Sequence, residues 1–77
     1  MKPPEYLSLE DARRVLAEMG ISLTARQMKR AAEKDAKGRR KLPFFPDPIV
    51  GTLKIEKGSL VAAYRRAQTQ AENNLRE

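Results

Sequence analysis

The 77-residue chain has no cysteine and no histidine, and each absence removes a class of chemistry. Without cysteine there is no disulfide framework and no thiolate metal site. Without histidine the usual general base, metal ligand and pH switch are missing together. No apolar run approaches the ~18 residues a membrane span needs, and the amino terminus lacks the apolar core of a signal peptide. A cytoplasmic location away from membranes is therefore expected. Repeats and linkers are also lacking. A chain of this size buries only about 60% of its unfolded surface, so residues 1–77 are expected to form a single domain around one small core.

What is present in excess is positive charge, with a net +6. Residues 24–42 hold eight basic side chains (Arg26, Lys29, Arg30, Lys34, Lys37, Arg39, Arg40, Lys41) against Glu33 and Asp35. The remainder holds eight of each sign, so the whole excess lies in one quarter of the chain. Clustering of this kind is expected of a face that meets a polyanion.

The patterning predicts a small α+β domain. Lys2-Pro3-Pro4 suggests an extended arm over residues 1–6. Ser8 can cap a first helix, with Asp11 three residues on and Leu7 and Ala12 as a hydrophobic staple. Ala12, Val15, Leu16 and Met19 keep the spacing of one buried stripe, and Gly20 can end the helix in the left-handed conformation. Thr24 and Gln27 form a second capping box, with Leu23 and Met28 as its staple. The second helix is expected to run to Gly38, burying Ala25, Met28, Ala32 and Ala36 and turning Arg26, Arg30 and Lys37 outward. Two sharply capped helices joined by a short turn suggest a helix-turn-helix. Leu42 to Phe45 and Thr52 to Glu56 then flank a Pro- and Gly-bearing loop, a β-hairpin whose first strand Pro43 and Pro46 confine to a short edge. One of Phe44 and Phe45 should fill the core, and the other should cover the base of the hairpin. Ser59 is the expected cap of a third helix with Leu60, Ala63, Tyr64, Ala67 and Ala71 on one face. Residues 68–77 extend or fray it.

Catalytic pairs are not evident. Glu10 and Asp11 open a helix, where carboxylates favour the positive dipole end. Glu33 and Asp35 lie among cations. No enzymatic activity, cofactor or metal is expected. Candidate DNA contacts are Thr24, Arg26, Gln27, Lys29 and Arg30 in the first turns of the second helix, the part of a recognition helix that reaches base edges. Arginine can donate two hydrogen bonds to guanine, and glutamine can pair with adenine. Lys34, Lys37, Arg39, Arg40 and Lys41 are candidate phosphate anchors. Asp47, Pro48, Ile49, Val50, Gly51, Thr52 and Lys54 would form a projecting wing.

The order of these elements resembles that of phage and plasmid excisionases, within the wider MerR-like winged-helix group. The residues that carry the resemblance are Leu7-Ser8-Leu9-Glu10-Asp11-Ala12, Thr24-Ala25-Arg26-Gln27-Met28, Lys41-Leu42-Pro43-Phe44-Phe45, and Leu53-Lys54-Ile55 leading to Ser59-Leu60. It spans roughly residues 6–66. It implies a winged helix-turn-helix: two helices, a β-hairpin wing and a carboxyl-terminal helix, with helix two in the major groove and the wing at the adjacent minor groove or backbone. The family bends double-stranded DNA by cooperative binding to repeated sites, which turns a site-specific integrase toward excision. Many relatives are small transcription regulators, and that alternative stays open. So does a protein-interaction adaptor whose basic face meets an acidic partner. The wing segment is longer and more proline-bounded than the family pattern, and the last helix is extended.

Overall fold

A computed structural model describes residues 3–75, with the side chain of Leu75 left out. The element order is β1 (Tyr6–Leu7), α1 (Leu9–Glu18), α2 (Ala25–Ala32), β2 (Phe45–Pro46), β3 (Leu53–Glu56) and α3 (Lys57–Leu75). Three helices and an antiparallel three-stranded sheet of order β1-β3-β2 make a mixed α+β architecture among the described residues. The expectations for residues 1–2 and 76–77 concern positions outside them.

Helix α1 begins as its sequence dictates. The Ser8 hydroxyl accepts the Asp11 amide at 3.1 Å. It ends in a paired set of bonds: Gly20 N–H donates to the Ala17 carbonyl at 3.1 Å and Ile21 N–H to the Leu16 carbonyl at 2.8 Å. That pairing turns the chain at Gly20, whose φ of 91° is strained for any residue with a Cβ. The expected stripe is shorter than its spacing implied. Ala12 and Leu16 are buried and Val15 half-buried, but Met19 is 44% exposed, because the Gly20 turn follows it directly and the chain leaves the helix there.

Helix α2 stops at Ala32, a turn and a half before the expected end at Gly38. The cause is Asp35. Its carboxylate accepts the amides of Lys37 and Arg39, each at 2.9 Å. Its own amide donates to the Arg39 carbonyl, and its carbonyl accepts the Gly38 amide. These local bonds offer the backbone a turn in place of further helix. The orphaned carbonyls of the last helical turn are satisfied by the chain that follows. Arg40 Nε donates to Ala32 O at 2.8 Å and Leu42 N–H to Ala31 O at 3.2 Å. Consequently Met28 and Ala32 are buried, whereas Ala25 and Ala36 are exposed, so the expected four-residue buried side is half that size.

The arm expected over residues 1–6 joins the sheet at its last residue. Tyr6 pairs with Glu56 and Leu7 with Ile55, and the ladder continues through Lys57 N–H to the Glu5 carbonyl at 2.8 Å. A third strand therefore covers the open edge of the hairpin. On its other side β3 pairs with β2, Phe45 opposite Lys54 and Pro46 opposite Leu53. Alternation sends Leu7 and Ile55 inward. There they join Ala12, Leu16, Met28, Ala32, Leu42, Phe44 and Leu60 in one core, and no polar side chain is buried among the described residues. Phe44 fills that core, and Phe45 stays 38% exposed, its ring edge-to-face with Tyr6 at 5.8 Å.

Helix α3 starts two residues before Ser59. Its first turn is capped by Glu56, whose carboxylate accepts Gly58 N–H at 2.7 Å and Ser59 N–H at 3.2 Å. Leu60 is buried and Ala63 and Tyr64 half-buried, but Ala67 and Ala71 are exposed. Only the first half of α3 rests on β3 and the core.

Candidate nucleic-acid interface

The basic cluster is built outward from the capping box of α2. Thr24 Oγ1 accepts the Gln27 amide at 3.1 Å, and Gln27 Oε1 accepts the Thr24 amide at 2.9 Å. This reciprocal pair fixes where the helix starts and therefore where its first turns aim. A further bond, absent from the sequence reading, sets the approach of the chain. Arg13 Nε donates to the Leu23 carbonyl at 2.9 Å while its terminal nitrogen pairs with Glu10. One of two adjacent arginines on an amphipathic helix carries no sequence signal for such a tie.

From this frame Arg26, Lys29 and Arg30 are exposed, and with Ala25 and Glu33 they line a shallow depression on the helix. No ion pair among the described residues involves them; the pairs present join Arg13 to Glu10, Arg14 to Asp11 and Lys57 to Glu5. Three cations without local partners lie on a helix with no acid in its first turn. They leave positive charge available to an outside anion.

The remaining candidates separate into groups. Gln27 has one lone pair of its amide oxygen committed to the capping box, which holds the side chain against the helix start and leaves it only partly available to a base edge. Lys34 and Lys37 do not continue the helical face; they lie in the loop organised by Asp35, exposed, with Arg39 beside them. Arg40 is half-buried, and its Nε is spent on the end of α2. It positions the loop first, with its terminal nitrogens left for any anion. Lys41 is exposed.

The hairpin loop is ordered by one aspartate. Asp47 Oδ1 accepts the amides of Ile49 at 2.7 Å and Val50 at 3.0 Å. The backbone closes around it, Asp47 N–H to the Thr52 carbonyl and Gly51 N–H to the Asp47 carbonyl. The left-handed φ of 85° at Gly51 makes that closure possible. The Val50 and Ile49 amides hold the Asp47 carboxyl below its ordinary value, outweighing a desolvation that acts the other way, with Lys54 assisting. Pro48 and Thr52 are exposed and Lys54 is half-buried between the strands.

No family model, curated protein or solved structure matches this chain. Among the described residues no three acidic side chains come together to hold a metal ion, and no helix is long and apolar enough to cross a membrane.

Proposed function

We propose that this chain is a double-stranded-DNA-binding architectural factor without enzymatic activity, a winged helix-turn-helix with α1 and α2 as its helix pair and the β2–β3 hairpin as its wing. The observation that carries this reading is the exposed set Arg26, Lys29 and Arg30 on a rigidly capped helix with no acid pairing them. Continuous with it is a loop carrying Lys34, Lys37, Arg39 and Lys41, all exposed. In the major groove α2 would offer arginines to base edges while the loop meets phosphates. The order of elements and the resemblance to excisionases favour a role in directing a site-specific integrase toward excision.

Salt dependence is the first test. With Lys29, Lys34, Lys37, Arg39 and Lys41 at phosphates, the slope of log K against log salt should be about −4 to −5 per monomer. Duplex binding measured by fluorescence anisotropy between low and physiological salt checks this. A chain that ignores duplex DNA at every salt concentration refutes the reading and turns the basic face toward an acidic protein. Among DNA readings, an in vitro excision reaction with an integrase decides. Stimulated excision supports the excisionase role, and an unchanged yield leaves a transcription regulator on the same fold.

A further inference from the structure

The chain has two tyrosines, two phenylalanines and no tryptophan. Phe44 is buried in the core and Tyr64 is half-buried against it, which leaves Tyr6 and Phe45. The sheet brings these two together on its outer face. Register sets Tyr6 opposite Glu56 and Phe45 opposite Lys54. Because Ile55 points inward, all four of these side chains lie on the side away from the core. The two rings lean toward each other across the central strand β3, with centroids 5.8 Å apart and planes at 87°. Tyr6 is still 55% exposed and Phe45 38%. An edge-to-face contact uses one face of one ring and the edge of the other, so flat aromatic surface stays open to solvent.

We propose that this outer sheet face stacks one unpaired nucleobase of a single-stranded segment, with Lys54 meeting the adjoining phosphate. Charge chooses the occupant. Tyr6, Phe45, Asp47 and Lys54 line a cleft of about 310 Å³, and Lys54 makes no ion pair among the described residues. The carboxylates that could attract a cation are engaged elsewhere. One Asp47 oxygen accepts the Ile49 and Val50 amides, and the two Glu56 oxygens accept amides at the start of α3. An ammonium beside open rings disfavours a cationic guest, the other usual partner of an aromatic face. It favours a planar ring that carries negative charge, which is the chemistry of a nucleotide. Size points the same way. The cleft is at the small end of the roughly 300–1,000 Å³ typical of ligand sites, whereas a stable protein contact needs roughly 1,000 Å² or more of surface. A base within a duplex is stacked on its neighbours and closed to the rings, so the strand that binds here is unpaired. The site uses none of the cations of α2 or of the loop after it, and so stands apart from the duplex reading.

The experiment titrates the full chain, at physiological salt, with oligothymidylate and with a blunt-ended duplex of matched length. With tryptophan absent, Tyr64→Phe leaves Tyr6 as the one tyrosine emitter. Its fluorescence should be quenched by oligothymidylate and not by the duplex. Tyr6→Leu and Phe45→Leu keep apolar bulk on the sheet. Each should weaken oligothymidylate binding by about five- to 150-fold, the loss of one stacked base, and keep duplex affinity and circular dichroism. Lys54→Gln should flatten the salt slope on oligothymidylate by about 0.7, the share of one phosphate on a single strand. An unquenched Tyr6, an unchanged slope in Lys54→Gln, or Leu variants that bind as the parent does each overturns the site. Equal weakening on both nucleic acids traces the loss to folding and overturns it too. Free thymidine monophosphate that quenches as well as the oligomer, at equal nucleotide concentration, overturns the strand assignment and gives the cleft to mononucleotides. Quenching by oligothymidylate in a chain that ignores duplex supports the platform and refutes the duplex reading. Duplex binding with an unquenched Tyr6 does the reverse.

Discussion

At the scale of single residues, neighbouring side chains of the same type have different duties. Arg26 and Arg30 are exposed without ion pairs, while Arg40 spends its Nε on the end of α2 and Arg13 spends its own on the chain before α2. Arg26→Ala or Arg30→Ala should therefore leave thermal stability unchanged. Either should lose about 1–3 kcal/mol of discrimination between the selected and a scrambled duplex if that arginine reads a guanine. Competition binding measures this, and equal weakening on both duplexes would reduce α2 to a phosphate anchor. Arg40→Ala should instead lower the melting temperature, because the Ala32 carbonyl loses its donor. Asp47 gives a prediction in pH. Its folded value lies below the ordinary one, so its contribution to loop order is complete above the ordinary aspartate range near 4. That contribution is lost as pH falls through the lower, folded value. The amide resonances of Ile49 and Val50 should titrate together with a midpoint below that range, and a midpoint at or above it would detach them from the carboxylate.

At the scale of elements, the sequence shows most clearly where a helix starts and least clearly where it stops. Ser8, Thr24 with Gln27, and Gly20 announced their roles because capping depends on residues within four positions of one another. The end of α2 is hidden in the sequence because its alanines keep helical spacing through Ala36, while the turn that wins depends on Asp35 reaching amides at Lys37 and Arg39. An Asp followed by Gly three residues later is a local signal that could have exposed it. Strand β1 was hidden for another reason: two residues are too few to show a period, and Tyr6–Leu7 is a strand only because β3 offers it an edge. The basic cluster was legible as charge, but its division between helix and loop required the true end of α2. The sequence points to Ser59 as the cap of α3, whereas Glu56 reaches forward from the strand to cap it. Glu56→Ala should thus destabilise the domain by about 0.5–2 kcal/mol, the usual range for a lost cap, and Ser59→Ala by less. Urea denaturation of both variants checks the order, and a larger loss for Ser59→Ala would return the cap to the serine.

At the scale of the whole molecule, a module this small would cover about 600–1,000 Å² of protein surface on DNA under the proposed function, too little for high specificity from one copy. Several copies side by side would supply it, and α3 offers a surface for joining them. Its first half is held by Leu60, Ala63 and Tyr64, but beyond Tyr64 it leaves the core with Ala67 and Ala71 exposed on the same stripe. The stripe is therefore not consumed by intramolecular packing over its second half. The distal part of α3 is thus a candidate surface for contact between neighbours. Two apolar positions are too few for a stable dimer, so the expected state is a monomer that associates only where DNA holds copies adjacent. Gel shifts on one site and on two phased sites should show higher affinity per site on the double probe. Ala67→Glu/Ala71→Glu should remove that ratio while weakening single-site binding only through the two added negative charges. An equal affinity per site on both probes in the wild type would reject cooperative assembly, and a dimer in sedimentation without DNA would replace it with a preformed pair.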